Sequence, residues 1–404
     1  MSRAVEPLLT KAAALQEKAR EGIESLRTEV DLDGRSFSLF NAGIRDKRSW
    51  FGLFPRDLLT ACLMLGEPAL MHEAIAFSVA TIGRECNPQT GEEPGRVLHE
   101  WNRVERDGYL SHYNAAETSQ LLILVASQYL QLAEVDRNMA SDWGDGLRQT
   151  GEYVLRHIDA DLFWEDPYHC RATRYMAYAT YWKDSHLPGR KSLVYPVAYT
   201  LVQAQTVAAL RALIALESEF QLGFQHEQLE RLVSGMVRAI WQQLWDPRTD
   251  FPLIALDKDV RIPGISSDAL HVLAYLQKKD IPKTKLEAIA QGARKLDTPY
   301  GYRTYAPGQP EYTPDSYHLG SIWPYEQFFI AKGALRHGLE EVFEHSLRII
   351  HGLEAHGFPE LLVWDGEALT AGGCGLQLWS AAYPQAIGNL LTGHVSTNAE
   401  DTFS

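Results

Sequence analysis

ETSQLLILVASQYLQLAE, residues 117–134, decides how this chain is built. Leu121, Leu122, Val125, Tyr129 and Leu132 fall on one face at the spacing of an α-helix. The next segment repeats the pattern with Trp143, Leu147, Val154 and Ile158, so one amphipathic helix follows another. Outward from there, the same period runs through 197–216 (Leu201, Ala204, Ala208) and 227–244 (Leu229, Leu232, Val233, Met236, Ile240). Further helical stretches cover 6–27, 56–65, 69–83, 267–277, 284–294, 322–336, 339–354 and 376–391. Strand-like alternation is confined to short pieces, 35–40 and 251–256, which argues against a parallel sheet of βαβ units.

The connections between helices alternate between short and long. The long ones, 84–116, 159–195, 245–266, 295–321 and 355–375, hold most of the punctuation and many aromatics. Loops beyond about 12–15 residues inside a compact domain usually carry function. Their recurrence after every second helix or so predicts an all-α fold, a ring of helical hairpins or (α/α) toroid, with the long loops and the site gathered on one face. Neither a Ser/Gly/Pro linker nor a charge block divides the chain, so one domain is expected over 1–404. Within it, 1–49 reads as an N-terminal helix and lead-in, and 393–404 as a flexible tail.

Composition narrows the partners. Of 404 residues 45% are hydrophobic and 22% charged, enough apolar material for a large core and too little charge for a disordered chain. Lys and Arg number 38 against 52 Asp and Glu, a net −14, which argues against nucleic acid or an anionic membrane and suits a neutral or locally steered small ligand. Cys62, Cys86, Cys170 and Cys374 lie far apart without CxxC spacing, as free thiols in a reducing cytosol do. The N-terminal residues include acids and no continuous apolar run, so no signal peptide is read there. No segment reaches the ~18 uninterrupted apolar residues of a membrane span. A cytoplasmic protein is therefore expected.

Several long loops set tryptophan beside carboxylates: Trp50, Trp101 in His99-Glu100-Trp101, Trp182 in Trp182-Lys183-Asp184-Ser185, Trp323 ahead of Tyr325-Glu326, and Trp364. A sugar site needs this combination. The apolar face of a pyranose stacks on an indole, its hydroxyls need donors and acceptors, and glycoside hydrolysis needs one protonated and one ionised carboxyl group. The 14 histidines form no HExxH or HxH cluster, so neither a metal nor another cofactor is called for.

In order along the chain, eight stretches carry a resemblance. They begin with Phe54-Pro55-Arg56-Asp57 and the loop GEEPGRVLHE, which ends on His99-Glu100. WKDS follows at 182–185, with a helix holding Gln203 and Gln205, then Ala255-Leu256-Asp257. TPYGYRT leads to Tyr317-His318-Leu319-Gly320-Ser321-Ile322-Trp323-Pro324, and Pro359-Glu360-Leu361 and Gln377-Leu378-Trp379-Ser380-Ala381 close the set. Together they resemble the catalytic domain of bacterial glycogen-debranching (amylo-α-1,6-glucosidase-like) enzymes and the related family 63 type mannosylglycerate and glucosylglycerate hydrolases.

The resemblance implies an (α/α)6 toroid and an inverting glycosidase that releases a terminal α-linked hexose, glucose or mannose, from an oligosaccharide or small glycoside. It places the general acid on Asp184 and the general base on Glu360. Trp50, Arg56, Asp57, His99, Glu100, Trp182, Lys183, Gln205, Tyr317, His318, Trp323 and Trp379 become the substrate-binding set. Fewer than 50 residues precede the first site motif, which favours a small substrate, and Arg190 and Lys191 are candidates for the carboxylate of a glycerate aglycone.

Three departures stand out. Asn114-Ala115-Ala116-Glu117 replaces a DATP-like motif, Tyr325-Glu326 stands where His-Asp or His-Glu is usual, and Leu319 replaces a polar residue. Two other classes compete: a sugar epimerase using His99, His186 or His318 as base, and a non-catalytic sugar-binding toroid.

Overall fold

The structure, a computed structural model, describes residues 5–44, 52–102, 104–132, 141–258 and 260–393. The tail read over 393–404 lies, beyond Gly393, outside the described residues. Its helices are α1 Val5–Ser25, α2 Pro55–Leu65, α3 Pro68–Ala80, α4 Thr118–Leu130, α5 Gly144–Arg156, α6 Thr200–Phe220, α7 His226–Gln243, α8 Asp268–His271, α9 Lys283–Ala293, α10 Pro324–His337, α11 Glu340–Ser346, α12 Ile349–His356 and α13 Leu378–Thr392.

They are of two kinds. In α5 and α7 the buried positions form one stripe, such as Leu229, Val233, Met236 and Ile240. In α2 all 11 residues are buried, Arg56 and Asp57 included, and α4 and α10 are nearly as enclosed. The enclosed helices are each other's neighbours. α2 packs on α4, α4 on α6, α6 on α8, α8 on α10, α10 on α13, and α13 back on α2. Outside this cycle α3 leans on α2 and α4, α5 on α4 and α6, α7 on α6, α9 on α8, and α11 on α10. α1 lies against α13 and α12.

Strands are short, and every pair among the described residues is antiparallel. The longest hairpin joins β1 (Arg27–Leu32) to β2 (Arg35–Phe40) through Asp33-Gly34, whose φ values of 51° and 83° are those of a tight hairpin turn. Both expected strand pieces are present, at Arg35–Phe40 and within 251–257. The helix expected from 197 begins instead at Thr200, because Val197–Tyr199 pairs with Ala255–Asp257.

The helix expected over 267–277 is cut short. α8 passes into a single 3-10 turn, Val272–Ala274, because α10 claims the carbonyls that would continue it. Arg336 Nη1 donates to Ala274 O at 2.6 Å, and His337 Nε2 lies 3.2 Å from Leu273 O and 3.1 Å from Leu276 O. All four cysteines are free. No helix among the described residues is long and apolar enough to cross a membrane.

The approach of α10 to this turn depends on Gly333. A Cβ there would sit 2.7 Å from the Leu273 backbone carbon and 2.8 Å from Ala274 N, and backbone cannot step aside. Gly333→Ala should therefore destabilise the protein by about 1–3 kcal/mol through overpacking. Equilibrium denaturation checks this, and a wild-type midpoint for the variant would show that α10 can shift freely.

Candidate active site

The enclosed helices surround a cavity, and every one of them lines it. α2 gives Arg56 and Thr60, and the start of α4 gives Glu117 and Leu121. α6 gives Gln205, α8 and the turn after it give His271 and Tyr275, α10 gives Tyr325 and Phe329, and α13 gives Trp379. Trp182, from the loop 159–195, completes the wall. In α2, α4, α10 and α13 the lining begins in the first turn, so these helices start at the cavity.

Arg56 is the charge on which the acids bear. Pro55 opens α2 with its φ preset, and the following side chain enters the cavity. Arg56 Nε donates to Asp57 Oδ1 at 3.1 Å, Nη1 lies 3.5 Å from Asp184 Oδ2, and the guanidinium sits 5.6 Å from the Trp379 ring centroid. Burial opposes its charge, but Asp57, Asp184 and Glu117 more than compensate and hold its pKa above the ordinary value. Burial pushes Asp57 up to about 6, with Arg56 resisting. It pushes Glu100, which accepts a hydrogen bond from Ser111 Oγ, and Glu117, whose two oxygens have no hydrogen-bond partner, each to about 7.

Asp184 and Glu360 occupy different surroundings. The Asp184 side chain keeps 35% of its accessible surface; desolvation raises its pKa, while Arg56 opposes the rise. Glu360 is buried: Tyr317 OH donates to Oε1, and Cys374 N donates to Oε2 at 3.0 Å. Burial nevertheless carries it to about 7 against those two donors, with Asp57 and Asp184 adding to the rise.

Aromatic rings form the frame. Trp182 packs edge-on against Trp323 at 5.6 Å and Tyr325 at 5.2 Å, and Tyr325 lies 4.0 Å from Trp379. Each indole N–H is satisfied within the protein: Trp182 by Asp268 at 3.0 Å, Trp323 by Tyr317 O at 2.9 Å, and Trp379 by Asp57 O at 2.9 Å. The rings are thus fixed in place.

Of the residues singled out in the sequence, Arg56, Trp182, Gln205 and Trp379 line the cavity; Asp57, Glu100, Asp184 and Glu360 do not, but the Arg56 charge acts on the first three, and Asp57 and Asp184 act on Glu360. Tyr317 bonds to Glu360, and Trp323 packs on Trp182. Trp50 lies outside the described residues.

Lys183 points into the protein. Its ammonium is spent on Ser266 Oγ (2.7 Å), Ser267 Oγ (3.0 Å), Thr304 O (3.2 Å) and Asp268 (3.1 Å), so it braces the Trp182 loop from inside. His99 and His318 are buried, and burial holds both well below the ordinary histidine range. His99 Nδ1 lies 3.3 Å from Ser111 O, and His318 Nδ1 lies 3.0 Å from Ser185 Oγ with its ring stacked on Trp323, so both support the loops. Arg190 is bonded to Asp257 and Lys191 is exposed. Glu117, His271 and Tyr325 were missed as cavity residues; the one signal was that Glu117 and Tyr325 stand where the chain departs from the resembled motifs.

Comparisons with known proteins give the family and the fold. A family model for the mannosylglycerate hydrolase MGH1-like glycoside hydrolase domain matches residues 97–362, a span that includes Glu100, Glu117, Asp184 and Glu360. No curated protein matches the chain. Among solved structures, the GH63 mannosylglycerate hydrolase from Thermus thermophilus in complex with glucose is 16% identical, over 93% of this chain and 100% of that one, with a TM-score of 0.65. The same enzyme in complex with Tris and D-glycerate is 15% identical over the same shares, with a TM-score of 0.64. A rhamnosidase from Klebsiella oxytoca with rhamnose bound is 16% identical over 95% of this chain and 64% of that one, with a TM-score of 0.59. These likenesses concern the fold. The family match carries the assignment: the chain belongs to the mannosylglycerate hydrolase MGH1-like glycoside hydrolases.

Proposed function

We propose that the chain is an inverting α-glycosidase on a single (α/α)6 toroid, and that it releases a terminal hexose, glucose or mannose, from a small glycoside. What supports the reading is a half-buried, cation-bound Asp184 whose charge reaches a buried, donor-held Glu360. Asp184 protonates the glycosidic oxygen, and Glu360 draws a proton from the attacking water. The closed cycle of helix neighbours supports the toroid.

A glycoside of glycerate is the preferred substrate. The family name and the D-glycerate bound by the Thermus thermophilus relative support it. Arg190 is tied to Asp257, so Arg56, with Nη1 unmatched by any hydrogen bond, is the better-placed cation. An epimerase would need a histidine base. His271, which lines the cavity, is held at about 3 by burial and by Lys183, and His99 and His318 are likewise depressed.

Release of hexose from mannosylglycerate, glucosylglycerate, isomaltose and maltose tests the substrate, and proton NMR of the first anomer released tests the stereochemistry. The inverted β-anomer is expected, and an α-anomer would exclude Glu360 as base. Asp184→Asn should cost ~10²–10⁴-fold on substrates with poor leaving groups and little on activated fluorides. Glu360→Gln should abolish turnover of both, with azide restoring turnover of the fluoride. Equal losses on both substrate types for Asp184→Asn would move the acid to Glu100 or Glu326.

The two carboxyls titrate as a pair, and the working form carries one proton between them. With Glu360 at about 7, that form is lost as pH rises through neutrality, so kcat/KM should be bell-shaped with its alkaline limb near pH 7. The Tyr317 hydroxyl stabilises the charged Glu360 and lowers its pKa. Tyr317→Phe should therefore move the alkaline limb to higher pH, and a limb that stayed in place or moved down would contradict the assignment.

A further inference from the structure

Away from the cavity, three metal-binding side chains meet where two long loops touch. Glu93 belongs to the loop 84–116, His157 follows the last turn of α5, and His169 lies in the 3-10 turn Pro167–Cys170. Their ligand atoms all lie within 4.8 Å of one another. Glu93 and His157 are buried and His169 is exposed. None of the three lines the cavity.

The hydrogen bonds of His157 aim its Nε2 at a carboxylate. Its Nδ1 lies 2.8 Å from Trp164 O; a carbonyl only accepts, so Nδ1 carries the hydrogen. Nε2 then faces Glu93 Oε2 at 2.9 Å, which in a neutral imidazole sets a lone pair against a carboxylate oxygen. A proton on Nε2 or a metal ion would answer both. Arg96 cannot do so alone, because its Nη2 is paired with Glu165 at 3.0 Å, both fully buried, while Nη1 reaches Glu93 Oε1 at only 3.5 Å. Two buried carboxylates thus share one guanidinium. The His157 ring, held through Nδ1–H by a backbone carbonyl, has the orientation typical of a metal-ligating histidine. The His169 ring stands 4.2 Å from it.

We propose that Glu93 Oε2, His157 Nε2 and His169 bind one divalent transition-metal ion of the zinc type, which clips the loop bearing His99 and Glu100 to the segment leading into Trp182 and Asp184. Two imidazoles and a carboxylate suit zinc, with water in the position open to solvent. Ligand atoms around tetrahedral zinc are ~3.4 Å apart, a contraction that the exposed His169 side chain can supply. The ion satisfies Nε2 and the carboxylate together, and its role is structural.

Zinc sulfate added to the EDTA-dialysed full chain at pH 7.5 tests this by calorimetry and thermal melting. One equivalent should bind and raise the melting temperature. His169→Ala, a surface change that leaves the fold and the cavity alone, should weaken binding on the order of 100-fold, the share of one ligand in a structural zinc site. Co2+ should give the visible absorption of a low-coordinate ion in the wild type and lose it in the variant. Equal zinc affinity in wild type and His169→Ala would mean an adventitious ion only. No binding to wild type would mean that a proton alone holds His157 to Glu93, and either result overturns the proposal.

Discussion

A guanidinium buried among carboxylates sets the terms for this site. Arg56 stands at the start of α2 with Asp57 beside it and Asp184 at 3.5 Å, and its charge also acts on Glu100 and Glu117. Without that cation, burial would favour the neutral form of each acid. With it, some keep charge and some hold protons at neutral pH. The cavity wall follows from the same arrangement, because Trp379 lies beneath the guanidinium and donates its N–H to the Asp57 carbonyl.

The proposed division of labour between Asp184 and Glu360 rests on their partners. Asp184 keeps contact with solvent and has Arg56 as its nearby charge, so its surroundings can change when a substrate displaces water. Glu360 is pinned through both oxygens by Tyr317 and Cys374, an arrangement that fixes direction more than protonation. The proposed roles therefore differ in rigidity as well as in charge.

Much of this was legible in the sequence, for identifiable reasons. Outer helices such as α7 show a clear period because one face meets water. Enclosed helices such as α2 have no polar face and are found from apolar length and from Pro55 at the start. The end of α8 was not legible, since Arg336 and His337, which take its carbonyls, come from about 60 residues away. Trp182, which lines the cavity, and the proposed acids Asp184 and Glu360 stand in compact motifs. Lys183 reads as a binding cation beside an acid until Ser266 and Ser267, over 80 residues on, are seen to absorb it. Glu117 and His271 matter only because helices far apart in sequence face one cavity, and no local pattern encodes that.

The packing of α1 against α13, and of α13 against α2, has a consequence for biosynthesis. α1 and α2 leave the ribosome long before α13 is made, so their apolar faces turned toward α13 have no partner at that stage. Contacts of such wide sequence separation form late, and until they close these faces are open to association with other chains.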